Sequence, residues 1–172
     1  DEFIKNKGTC TGNDLAMIMG DLISFNSFDI LYKEIQNIPP VFYGEFIKTY
    51  QQTCYGQLLD MTYSTIMDAN DNSFEIPLTV SRYKTSYYTI SNPMILGSIL
   101  AGGFNAALKE RIEEFSLPLG VAFQLRDDIQ GVFADESIIG KSNRADLDEA
   151  KLTLLVKYTI DILGNAAKKI FI

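Results

Sequence analysis

The chain reads as an all-α protein, a bundle of several long helices. Three features predict this. Apolar residues recur at three- and four-residue spacing over long stretches, and proline, glycine and small polar residues punctuate the starts and stops of those stretches. No stretch alternates apolar and polar residues as a half-buried strand does, and there is no internal repeat or low-complexity segment.

The first helix runs from Gly12 to about Asn37, where Leu15, Ile18, Met19, Leu22, Ile23, Phe25, Phe28, Leu31 and Ile35 keep the helical period until Pro39-Pro40 ends it. A second spans about Val41 to Met67, and the polar cluster Asp68 to Ser73 is its exit loop. A third begins near Ile76 or Pro77 and reaches Ser91. Asn92-Pro93 reads as an N-cap with proline at the first helical position, so a fourth helix starts there and stops at Gly102-Gly103. The fifth runs from Phe104 to about Ala134, with a kink or break expected at Pro118. After a loop from Asp135 to Ala145, Asp146 with Glu149 forms an acidic capping box that opens a last helix.

With 172 residues, 47% of them hydrophobic, and only 5 prolines, the chain can form a single domain with a substantial core. The net charge of -7 argues against a nucleic-acid binder, because phosphate neutralisation needs clustered basic residues. An anionic substrate would need a cation to mediate its binding. The sequence has no histidine, and Cys10 and Cys54 lack CxxC spacing, which removes His-based general bases, Ser-His triads and most zinc sites. Both cysteines are expected to stay reduced and structural.

No apolar run reaches the roughly 20 residues that cross a bilayer, and no basic-then-apolar leader opens the chain, so no transmembrane segment and a cytoplasmic location are expected. The sequence starts at Asp1, and the helical pattern from Leu163 to Ile172 stops without a cap. It is therefore expected to be incomplete at both ends.

Chemistry concentrates in Phe123-Gln124-Leu125-Arg126-Asp127-Asp128-Ile129-Gln130-Gly131. Adjacent aspartates are poor helix formers, and two like charges about 5 Å apart repel by roughly 3 kcal/mol at an effective dielectric near 20. On a helix, Gln124 lies three and four residues before the two carboxylates, so amide and acids can face one groove. Hard oxygen donors of this kind suit Mg2+. The competing reading is a solvated acidic turn. Gln57 and Asp60 put an amide and a carboxylate on one face of the second helix, and Lys84-Thr85 puts a cation and a hydroxyl in the third; each pair alone could be ordinary surface.

Taken together, Gly20-Asp21-Leu22, Gly56-Gln57-x-x-Asp60, Lys84-Thr85-x-x-Tyr88-Thr89 with Pro93, Phe123-Gln124-x-x-Asp127-Asp128 and Gly140-Lys141 stand in the order and approximate spacing of the trans-isoprenyl diphosphate synthases. The chain resembles this polyprenyl synthetase family over roughly Gly12 to Leu155. Asp-Asp-x-x-Gly followed by Phe133-Ala134-Asp135-Glu136 is most similar to the geranylgeranyl diphosphate synthase branch.

The resemblance implies an isoprenoid synthase-like bundle around a central cavity. It also implies an enzyme that condenses an allylic diphosphate with isopentenyl diphosphate by Mg2+-assisted ionisation, giving a geranylgeranyl- or farnesyl-type product. Asp127 and Asp128 would hold the metal, while Lys84 and Lys141 would grip the diphosphate. Thr85, Gln57 and Gln124 would offer lone pairs near the carbocation, Asp60 would orient that set, and Phe123 would pack on the isoprenoid tail. A homodimer is implied as well. The family's first aspartate-rich motif and isopentenyl diphosphate residues are not in this sequence, which leaves product length open. The alternative is a non-catalytic accessory subunit of a heteromeric synthase.

Overall fold

A computed structural model describes residues 11–65, 74–135, 148 and 151–164. The chain divides into two compact units, Asp1–Tyr43 and Gly44–Ile172. Among the described residues the regular structure is helical, as the apolar spacing predicts.

Helix α1, Gly12–Lys33, begins at a capping box that sequence reading missed: Asp14 N–H donates to the Thr11 hydroxyl, and the Thr11 N–H donates back to Asp14 Oδ2 at 2.9 Å. None of its residues is buried, and Met17, Ile23 and Phe25 stand exposed. The expectation that no segment is long and apolar enough to cross a membrane is corrected here. The 22-residue α1 contains an 18-residue stretch of mean hydropathy 1.2, which meets that requirement by length and composition alone. Counting uninterrupted apolar runs missed it because Asp14, Asp21 and Asp29 are spread along the helix.

Pro40 opens α2, Pro40–Thr65, at the position where its missing N–H costs nothing. The polar segment expected to follow it, and Met67, lie outside the described residues. Next, α3 (Glu75–Ser81), a π-helical segment (Arg82–Ser91) and α4 (Asn92–Leu100) follow one another directly. The Asn92 N–H donates to the Tyr87 carbonyl five residues back, the wider π pattern.

Helix α4 starts at Asn92 as the sequence predicts, but Asn92 does not cap it, because the helical backbone runs on unbroken from the π segment. Asn92 keeps helical φ and ψ of −66° and −40°, and its amide, instead of capping, donates across to Gln52 Oε1 of α2 at 3.0 Å. The predicted stop is present. Gly102 takes φ +74°, its N–H donates to Ile99 O and the Gly103 N–H to Ser98 O, which satisfies the last carbonyls of α4.

Helix α5, Ala106–Phe133, is capped by the Asn105 side chain, which accepts from the Leu108 N–H at 2.9 Å, and it runs through Pro118 without a break. The acidic capping box at Asp146 and Glu149 lies outside the described residues. Instead, Thr153 caps the final helix α6, Leu154–Leu163, by accepting from the Val156 N–H at 3.2 Å.

Within Gly44–Ile172 the π segment packs most extensively on α5. Small residues make that possible: Ser81, Thr85, Ser86, Ser91 and Ser116 are all buried. Apolar burial comes from Ile95 and Ile99 of α4, Ile112 of α5, and Leu154, Val156 and Ile160 of α6.

Candidate active site

A cavity of about 270 Å3 opens where α2, α3, the π segment, α5 and the entry to α6 converge. Its wall brings together Gln57 and Asp60 from α2, Lys84 and Thr85 from the π segment, and Gln124, Asp127 and Asp128 from α5. Three stretches of sequence that each read as ordinary surface alone thus meet in one place. Helical spacing accounts for the α5 set: Gln124 and Asp128 are one turn apart and face the same way.

The polar groups are linked. Lys84 Nζ donates to Asp60 Oδ2 at 2.7 Å in a partly buried ion pair. Thr85 Oγ1 donates to Gln124 Oε1, and Gln124 Nε2 donates to Asp128 Oδ1 at 2.7 Å. This chain fixes which end of the Gln124 amide faces which neighbour. Asp128 is 5% exposed, whereas Asp127 is exposed. Side by side in sequence, the two carboxylates therefore have different surroundings, one buried and hydrogen-bonded, the other open to solvent.

Two glycines let the backbones approach closely enough to form these bonds. A Cβ on Gly56 would stand 2.4 Å from the Lys84 amide nitrogen, and one on Gly120 would stand 2.4 Å from Ser86 Cα. Real side chains do not tolerate such distances. The glycine beside Gln57 thus seats α2 against the residue that supplies the lysine, and Gly120, one turn before Gln124, seats α5.

Not every expected residue joins the set. Phe123 does not line the cavity, and its residue is 53% exposed. Lys141 lies outside the described residues. Conversely, Lys151 borders the cavity beside Leu152 and Thr153, a cation to which sequence reading gave no role. The available signal was its position two residues before the Thr153 cap of α6, which places it at a helix entry. Tyr88 and Ser81 also line the wall. Among the described residues no group of three or more acids, cysteines or histidines forms a metal cage by itself.

A family model described as polyprenyl synthetase matches residues 4–171. The chain belongs to the polyprenyl synthetase family. It is 28% identical to a geranylgeranyl diphosphate synthase of Sulfolobus acidocaldarius over 92% of this chain and 48% of that protein. Likewise, it is 36% identical to a farnesyl pyrophosphate synthase of Murgantia histrionica over 64% of this chain and 27% of that protein. Among solved structures, a geranylgeranyl pyrophosphate synthase of Corynebacterium glutamicum, complexed with isoprenyl diphosphate and magnesium, superposes with a TM-score of 0.71 at 30% identity, covering 89% of this chain and 43% of that one. The fold is thus the all-α isoprenoid synthase fold expected from the motifs. This polyprenyl synthetase chain spans about half or less of the length of these relatives.

Proposed function

We propose that the protein containing this chain is a trans-prenyltransferase that condenses an allylic diphosphate with isopentenyl diphosphate, giving a polyprenyl diphosphate of the geranylgeranyl or farnesyl type. The observation that carries this reading is one cavity bordered by two lysines, two adjacent carboxylates and the hydrogen-bonded chain Thr85–Gln124–Asp128. A pocket of this polarity suits a diphosphate, and the relatives named as geranylgeranyl and farnesyl synthases support the substrate class.

The donor set fits Mg2+. Magnesium is held by one or two carboxylates, with water and substrate phosphate oxygens completing its shell. Asp127 offers an exposed carboxylate and Asp128 a buried one on the same cavity wall, all hard oxygen donors. The structure bound to isoprenyl diphosphate and magnesium in a relative supports the same choice. When bound, the metal supplies positive charge against the leaving diphosphate as its C–O bond breaks.

The chain's own residues do the rest. Lys84 and Lys151 present cations to the diphosphate, and Asp60 holds the Lys84 ammonium in place until the anion arrives; Lys141, outside the described residues, is assigned the same role on its motif alone. Thr85, Gln57 and Gln124 line the cavity and are assigned to offer oxygen lone pairs where allylic positive charge develops. Gln124 also holds Asp128 through its amide N–H. Apolar lining from Pro77, Val80 and Leu152 limits water, which would capture a carbocation.

Both compact units are read as parts of one isoprenoid-synthase-like domain. The exposed α1 is proposed as an interface helix of a homodimer, since large apolar side chains such as Met17, Ile23 and Phe25 stand uncovered on it. A cytoplasmic setting is proposed, in keeping with the expectation that both cysteines stay reduced. The direct test incubates the full-length protein with an allylic diphosphate, isopentenyl diphosphate and Mg2+. Chain-extended product that disappears on chelation is expected, and no product at any Mg2+ concentration would contradict the reading.

A further inference from the structure

One turn below the Thr85–Gln124 bond, Ser86 and Gly120 meet in the packing between the π segment and α5. Ser86 is fully buried at 0% exposure. Its hydroxyl lies 3.1 Å from the Leu117 carbonyl of α5 and 3.4 Å from the Ser81 carbonyl of the preceding turn, so its single proton is directed chiefly at α5. Gly120 has no room for any side chain: a Cβ there would lie 2.4 Å from the Cα, Cβ and Oγ of Ser86 alike. Backbone and side chain are in contact on both sides. Any change in the spacing of the two helices at this point is passed one turn along, because Thr85 adjoins Ser86 and Gln124 sits four residues beyond Gly120.

We propose that Ser86 and Gly120 are a pair of positioning residues that set the separation and register of the π segment on α5, and thereby hold the Thr85–Gln124–Asp128 chain in order for metal binding. Neither faces the cavity, so neither is a catalytic residue. Their effect passes through Gln124 to the Asp128 carboxylate. Groups that orient a metal ligand from outside its immediate shell commonly change metal affinity by about 10–100-fold when altered. Losing one hydrogen bond of ordinary strength corresponds to about threefold to tenfold.

This inference rests on the reading of Asp127 and Asp128 as the magnesium site. The test uses the full-length protein and measures Mg2+ binding directly by isothermal titration calorimetry, alongside the Mg2+ concentration giving half-maximal product formation and kcat and KM for the allylic diphosphate. Ser86→Ala, which removes the hydroxyl without adding volume, is expected to raise the Mg2+ requirement about threefold. Gly120→Ala is expected to raise it about tenfold or more, with a fall in kcat that exceeds any change in KM. Adding Ser86→Gly to Gly120→Ala removes two of the three atoms the new methyl would strike. That double variant is expected to recover part of the Mg2+ affinity even where its melting temperature does not recover.

A merely structural role would lower stability and leave the Mg2+ requirement of the folded fraction where it was. An unchanged Mg2+ requirement in Ser86→Ala, in an otherwise active protein, overturns the proposal, and this holds even where Gly120→Ala does not fold. A wild-type protein without Mg2+-dependent turnover would instead overturn the underlying functional reading.

Discussion

Gly56 and Lys84 touch through their backbones. A Cβ on Gly56 would stand 2.4 Å from the Lys84 amide nitrogen and 2.7 Å from its Cα, so α2 lies directly on the π segment at the residue that supplies the site's lysine. One turn further along α2, Asp60 accepts from the ammonium of that same lysine. Close approach and ion pair are parts of one arrangement, and replacing the glycine disturbs both.

Gly56→Ala is therefore expected to destabilise the protein by about 1–3 kcal/mol, the usual cost of overpacking. Gly97, in α4, meets nothing within 4 Å of a built Cβ. Gly97→Ala should be neutral or stabilising by up to about 1 kcal/mol, because alanine is the better helix former. Denaturant unfolding of the two variants checks the contrast, and equal effects would argue against the contact.

The fold was largely legible in the sequence because helical periodicity and terminators are local signals. The prolines at the start of α2 and the glycines after α4 act within a few residues of where they stand. What the sequence did not disclose was set by distant partners. Asn92 has the form of an N-cap, yet Gln52, which lies 40 residues earlier, takes its amide and the helix continues. The π segment follows from packing against α5 on a bed of serines, and no pattern of period 3.6 announces it.

The site divides in the same way. Gln57, Asp60, Lys84, Thr85, Gln124 and the two aspartates stand out only when their motifs are read together as resembling the polyprenyl synthetase family, and they converge. Phe123 shares their stretch but points elsewhere, since on a helix its direction differs from that of Gln124 by about 100°. Lys151, at the entry to α6, joins the wall only through tertiary folding.

Lys109 and Glu45 make a pH-dependent prediction. Burial alone would lower the Lys109 ammonium, but the hydrogen bond to Glu45 and the charge of that carboxylate outweigh it, and the group titrates above its ordinary 10.5. A cation with a raised pKa stabilises the folded state fully below the unfolded value and loses that contribution as pH rises through the folded one. The stability difference between wild type and Lys109→Met should therefore be constant near neutrality and shrink above about pH 10.5. Unfolding curves at neutral and strongly alkaline pH check the sign, and a difference that grows with pH would contradict it.

Thr85→Val keeps the shape of the side chain but removes the donor to Gln124 Oε1. Because Gln124 also donates to Asp128, the loss should reach the metal carboxylate. We expect kcat to fall about tenfold to a hundredfold, with a smaller change in melting temperature than Gly56→Ala produces. Steady-state kinetics with varied Mg2+ checks this, and unaltered kcat would detach Thr85 from the chain.

The central claim is that Asp127 and Asp128 hold the divalent cation that brings a diphosphate into this cavity. Product formation by Asp127→Ala and Asp128→Ala in the full-length protein, at saturating Mg2+ and with folding verified by circular dichroism, tests it most directly. The account predicts that turnover falls by at least about a hundredfold in each. Turnover within about twofold of wild type in both variants would contradict it.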